Sequence, residues 1–105
     1  MIIVQKYGGS SVADNEKLMN VALKVKKCRE ALNDVVVVVS AQGKTTDLLI
    51  EKARSISNDI SDREMDVLLS TGEMQSMTLL VMTLNKIGVP AISLTGEQAG
   101  IFTDN

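Results

Sequence analysis

The sequence predicts an α/β protein built on a parallel sheet, and three observations predict it. Short apolar runs at residues 2–6, 35–39 and 91–94 read as strands. Segments with helical apolar spacing lie between them, and each run exits into a polar loop that carries glycine. The resulting order of strand, helix, strand, two helices and strand is that of a parallel α/β sheet, whose ligands collect beyond the carboxyl ends of the strands.

Residues 2–6 form the first strand, ended by Gly8-Gly9. Ser11 or Asp14 caps the helix that follows, Ser11 with Asp14 approximating a capping box. Leu18, Val21, Ala22, Val25 and Leu32 form its apolar stripe, and it ends near Asn33-Asp34. Lys24, Lys26, Lys27 and Arg29 face elsewhere, as a solvated surface. Five consecutive valines, Val35 to Val39, suit a central parallel strand buried on both faces. The strand opens into Ser40-Ala41-Gln42-Gly43, and Thr45 or Asp47 starts a helix carrying Leu48, Leu49 and Ala53. The cluster at residues 55–59 closes it.

A longer helix runs from about Asp62 to Ile87, with Met65, Leu68, Leu69, Met77, Leu80, Val81 and Leu84 on its apolar side. Gly72 inside it costs about 1 kcal/mol relative to alanine, which predicts a local irregularity. Positions 77–84 are apolar nearly all round, as in a deeply buried helix or one at a subunit contact. Gly88-Val89-Pro90 ends it, and Ala91 to Leu94 is the third strand.

Composition narrows the function classes. At 105 residues and 45% hydrophobic content the chain buries one modest core. Three strands and no closing helix lead us to expect the N-terminal portion of a longer domain. A net charge of -2 offers no bulk attraction to nucleic acid or to an acidic membrane surface. A single cysteine, Cys28, has no partner for an internal disulfide and suits a reducing compartment. The four apolar residues at the start are too few for a secretory leader, and no run of consecutive apolar residues approaches a membrane span. A cytoplasmic protein is expected, without nucleic-acid or membrane partners.

Candidate chemistry gathers in four polar segments, at residues 6–11, 40–47, 70–73 and 95–103. In the first, Lys6 brings positive charge beside two glycines whose amides can approach an anion closely. Gly43-Lys44-Thr45 resembles the end of a Walker loop, but Val38 stands where that motif needs glycine. Gly8-Gly9 likewise lacks the spaced glycines of a dinucleotide fingerprint. The chain contains no histidine.

Taken together, the segments resemble those of the aspartate kinases within the amino-acid kinase family. Lys6-Tyr7-Gly8-Gly9-Ser10-Ser11-Val12 follows the family's Lys-Phe-Gly-Gly-Thr-Ser-Val, with Tyr7 and Ser10 as conservative departures. Ser40 to Asp47 follows Ser-Ala-Met-Gly-x-Thr-Thr-Asp, with Gln42 in place of methionine. Leu69 to Glu73 follows Leu-x-x-Gly-Glu, and Leu94 to Ile101 completes the set.

The resemblance implies a three-layer α/β/α sandwich with a mostly parallel sheet, carbamate-kinase-like, of which residues 1–105 are the N-terminal portion. It implies transfer of the γ-phosphoryl of ATP, carried with Mg2+, to the side-chain carboxylate of L-aspartate, giving 4-phospho-L-aspartate on the way to lysine, threonine and methionine. It places Lys6 as the catalytic cation and Lys6, Tyr7, Gly8, Gly9 and Ser10 around the nucleotide phosphates. Ser40, Thr46 and Glu73 contact aspartate, Glu73 taking the α-ammonium, and no residue here ligates metal. Thr45 and Asp47 serve their own loop as cap and turn formers. A homo-oligomer is expected of the full-length protein, and the isolated 105-residue piece is expected to be inactive. Two alternatives stand beside this reading: a non-catalytic binding or assembly module that keeps the phosphate turn, and another member of the amino-acid kinase family.

Overall fold

A computed structural model describes residues 1–95. Strand β1 (Ile2–Tyr7) leads through a 3-10 turn (Gly9–Val12) into helix α1 (Asn15–Glu30), which returns to strand β2 (Asp34–Val39). Helices α2 (Thr45–Ile56) and α3 (Asp62–Lys86) follow. The two strands pair in parallel from Ile2 with Asp34 to Tyr7 with Val39, so β1, α1 and β2 form the expected crossover unit.

Local chemistry accounts for most boundaries. Asp14 caps α1 by accepting the Lys17 N–H at 2.8 Å; Ser11 lies in the 3-10 turn, so the capping box does not form. Ser61 caps α3 through the Glu64 N–H at 3.2 Å, satisfying one of the four orphan amides of the first turn. Gly88, at φ +84°, takes the left-handed conformation that ends α3.

The core joins the 3-10 turn, α1 and α3: Val12, Leu18, Val21, Ala22, Val25, Leu80, Leu84 and Val89 are buried together. Tyr7, Val35, Val37 and Val39 pack against this cluster from the sheet. Full burial of a leucine such as Leu18 or Leu80 contributes about 1.5–3 kcal/mol, so α1 and α3 are held chiefly by their facing stripes.

Five expectations are corrected. The valine strand is not buried on both faces: Val36 and Val38 are about half exposed, because among the described residues helices cover only the other side of the sheet. Leu32 does not extend the α1 stripe. The helix ends at Glu30, and Leu32 sits at φ +65°, 88% exposed, where its N–H bonds to the Arg29 carbonyl while the Asn33 amide donates to Cys28 O. Residues 91–94 form no strand; among the described residues β1 and β2 pair only with each other, and this segment finds no ladder. Helix α3 runs unbroken through Gly72. It is also long and apolar enough to cross a membrane by length and composition alone, and Gly72, Ser76, Leu80 and Leu84 form a single buried stripe along it.

Candidate functional site

The parallel strands deliver two loops to one edge of the sheet, and hydrogen bonds join them. Ser40 N–H donates to Tyr7 O at 3.1 Å, prolonging the ladder by one step. Beyond it Gly43 N–H donates to Gly9 O at 3.1 Å, and the Gln42 side-chain amide donates to Val12 O at 2.9 Å. Residues 8–12 and 40–45 therefore form one surface at the carboxyl ends of β1 and β2, where open α/β sheets bind ligands.

The two glycines of the first loop serve different ends. A Cβ on Gly9 would run into the carbonyl oxygen of Ala41, so glycine is required there for the loops to approach. Gly8 has extended backbone, φ -77° and ψ 173°, and a Cβ on it would meet no atom within 4 Å. Nothing within the described chain demands glycine at position 8; it leaves bare backbone facing open space.

Gly72 brings the third segment to the same surface. A Cβ there would stand 2.9 Å from Ala41 Cβ and 3.3 Å from Thr45 Cγ2, so α3 lies directly against the second loop. Glu73, the next residue, is exposed on α3 beside that contact. Thr46 is half-buried in the first turn of α2. The cap position of α2 is Lys44, with no side-chain cap bond, so Thr45 and Asp47 do not act as caps as expected. The Thr45 N–H is taken by the Gln42 carbonyl, which leaves the Thr46 and Asp47 amides of this turn to meet an anion.

Lys6 is exposed on the strand, paired in register with Val38 and on the sheet face away from the helices. It makes no ion pair among the described residues. Tyr7 points the other way. Its ring packs against the core, its hydroxyl donates to Gln5 Oε1 at 2.8 Å, and burial, with a smaller contribution from Cys28, pushes its phenol above the usual value. Ser10 and Ser11 border a shallow depression with Tyr7, Lys17, Asn20 and Lys24. The structure thus gathers Gly8, Gly9, Ser40, Thr46 and the Glu73 turn of α3 around the joined loops, and sends the Tyr7 ring elsewhere. Of the segment at residues 95–103, positions 96–103 lie outside the described residues. No group of three or more His, Cys, Asp or Glu among the described residues is arranged to hold a metal.

Sequence reasoning singled out Gln42 as a departure from the pattern but gave it no role, and it missed Ala41. Gln42 is the hydrogen-bonding link between the loops, and Ala41 is the small residue against which both Gly9 and Gly72 pack. The signal for Gln42 was that departure; for Ala41 it was only membership of a loop following a strand.

Comparison with known proteins places this arrangement. The model of the Amino acid kinase family matches residues 1–105. An aspartokinase of Geobacillus stearothermophilus is 57% identical over 103 residues, covering 98% of this chain and 25% of the relative. An aspartate kinase of Pseudomonas fluorescens (strain SBW25) is 52% identical over 106 residues, covering 99% of this chain and 26% of the relative. Among solved structures, the aspartate kinase from Synechocystis superposes with a TM-score of 0.88 at 52% identity, over 92% of this chain and 16% of that one. The chain spans about a quarter of the length of these curated relatives and aligns with their N-terminal part.

Proposed function

Because the chain belongs to the amino acid kinase family, we propose that it forms the N-terminal part of the catalytic domain of an aspartate kinase, and that the joined loops are one wall of its active site. The observation that carries the reading is Gly8: backbone bared toward open space, at the end of a parallel strand, beside Lys6 and the uncapped start of α2. Such a surface suits phosphoryl oxygens, which take backbone amides and a nearby cation.

In this reading the acceptor is the side-chain carboxylate of L-aspartate, ionised at neutral pH with a reference pKa of about 3.9, so no general base is needed. A carboxylate oxygen forms a bond to the γ-phosphorus of ATP as the β–γ bridging bond breaks, and ADP leaves with that electron pair. Catalysis then rests on alignment and on stabilising charge. Lys6 stabilises the charge on the transferring group, the backbone of Gly8 to Ser10 cradles its oxygens, and Tyr7 contributes by its backbone rather than its ring. Ser40 and Thr46 donate to aspartate carboxylates and Glu73 takes the α-ammonium. Mg2+ travels with the nucleotide phosphates. The remainder of a longer domain supplies the other wall, so residues 1–105 alone are inactive. A cytoplasmic homo-oligomer serving lysine, threonine and methionine synthesis completes the proposal.

The test is aspartate-dependent ADP release by the full-length protein. Lys6→Ala lowers kcat at least tenfold with aspartate KM little changed, and Glu73→Gln chiefly raises aspartate KM. Absence of aspartate-dependent turnover in the parent protein, or an ATP-only effect of Glu73→Gln, would count against the reading.

A further inference from the structure

Gln42 occupies the one position in the second loop where the sequence departs from the pattern it otherwise follows, and the structure gives that departure a task. Its side-chain amide donates at 2.9 Å to the carbonyl oxygen of Val12, a residue thirty positions earlier in the chain. Val12 is fully buried, and Gln42 is the only donor to its carbonyl among the described residues. As the last residue of a 3-10 turn, Val12 has a carbonyl without an intrahelical partner, and its burial keeps water away.

The neighbouring bond makes this a two-point grip. Gly43 N–H donates to Gly9 O, and residues three apart in a 3-10 turn lie on one face, about 6 Å apart along the axis. Consecutive residues of the second loop therefore hold both ends of the turn that carries Ser10 and Ser11. One bond alone is a hinge; two prevent rotation of one loop against the other. Gln42 also spends its backbone carbonyl on Thr45 N–H at 2.8 Å, so the residue that grips the turn also sets where α2, with Thr46, begins.

We infer that Gln42 is a positioning residue, which locks the phosphate-binding turn to the substrate-binding loop and so fixes the approach of the acceptor carboxylate to the transferring phosphoryl group. The inference rests on the aspartate kinase reading for the identity of the two ligands. Gln42 touches neither of them. Its bond holds relative placement, which matters most at the transition state, where a displacement of about 1 Å can cost on the order of a hundredfold in rate.

The test uses the full-length protein with Gln42→Glu, which keeps the shape but sets an acceptor against an acceptor, and Gln42→Leu, which removes the donor without adding charge. Both variants are expected to lose about tenfold or more in kcat, while KM for ATP and for aspartate stays within about threefold. Amide hydrogen exchange at residues 9–12 and 42–45 is expected to quicken about tenfold in both, with exchange in the α1 core unchanged. A lowered melting temperature with kcat intact would make Gln42 a brace and overturn the inference, as would unchanged loop exchange in a variant that folds. If the parent protein shows no aspartate-dependent turnover, the functional reading fails by itself, and hydrogen exchange still decides whether Gln42 couples the loops.

Discussion

Gly72→Ala sets helix propensity against packing, and the structure says which wins. In an exposed helix interior the exchange of glycine for alanine is worth about 1 kcal/mol of stabilisation. Here the added methyl would lie 2.9 Å from Ala41 Cβ and 3.3 Å from Thr45 Cγ2, whereas carbon atoms sit comfortably at about 3.5–4.0 Å. A gap of about 0.6–1 Å must open. Ala41 has little room to retreat toward the first loop, because its carbonyl already abuts Gly9 and its neighbour Gly43 is hydrogen-bonded there. The strain falls on α3 instead. Overpacking of this kind costs about 1–3 kcal/mol, so the net effect is a loss of about 1 kcal/mol where propensity alone forecasts a gain of that size.

The displaced element carries Glu73, so the same substitution is expected to lower kcat/KM for aspartate about tenfold or more. Urea unfolding of the full-length protein reads the first quantity and steady-state kinetics the second. Gly43→Ala is the control, since its Cβ would make only an ordinary 3.5 Å contact with Ala13 Cβ. A Gly72→Ala protein that is more stable by about 1 kcal/mol, with aspartate kinetics unaltered, would refute the argument that α3 is seated on the loop through this residue.

Leu32→Gly is expected to stabilise by about 0.5–1 kcal/mol: left-handed backbone costs a non-glycine residue about 1–2 kcal/mol, glycine's chain entropy returns part of that, and the leucine side chain is 88% exposed. Thermal or urea melts check the sign. Ser61→Ala removes the only side-chain cap of α3 and should cost about 1 kcal/mol, whereas Ser61→Asp should retain most of the stability in the same melts. Tyr7 carries a pH signature. Burial disfavours its phenolate, so the folded protein keeps that proton to higher pH than the unfolded chain does. Its contribution is fully present below the unfolded value of about 10 and is lost as pH rises through the raised folded value. The alkaline fall in stability should therefore be shallower in Tyr7→Phe, and equal slopes in the two proteins would remove the effect.

What the sequence revealed and what it concealed divide by the range of the interaction. Period and run length placed β1, β2 and the bodies of all three helices, because strand pairing and amphipathic stripes repeat along the chain. Boundaries were less legible. The end of α1 depends on Arg29, Asn33 and Cys28 bonding around a left-handed leucine, and no general rule puts leucine there. The valine run was misread for a related reason: five valines in a row carry no record of which face a helix will cover.

The loops show the divide most clearly. Gly8-Gly9 was legible as a flexible turn able to face an anion, and the structure separates its two residues: Gly9 is needed for contact with Ala41, while Gly8 is not needed by anything within the described chain. Gly72 read as a helix defect, yet it makes room for that same Ala41. Two glycines distant in sequence thus answer to a single alanine between them, and the Gln42 bond to Val12 runs beside that contact. Polar segments that looked like separate weak motifs are one packed junction, in which small residues permit the approach of Gly9, Ala41 and Gly72 and one amide side chain holds it. Composition betrays small residues but not what they approach; that is why the candidate site was legible as a set of segments and its assembly was not.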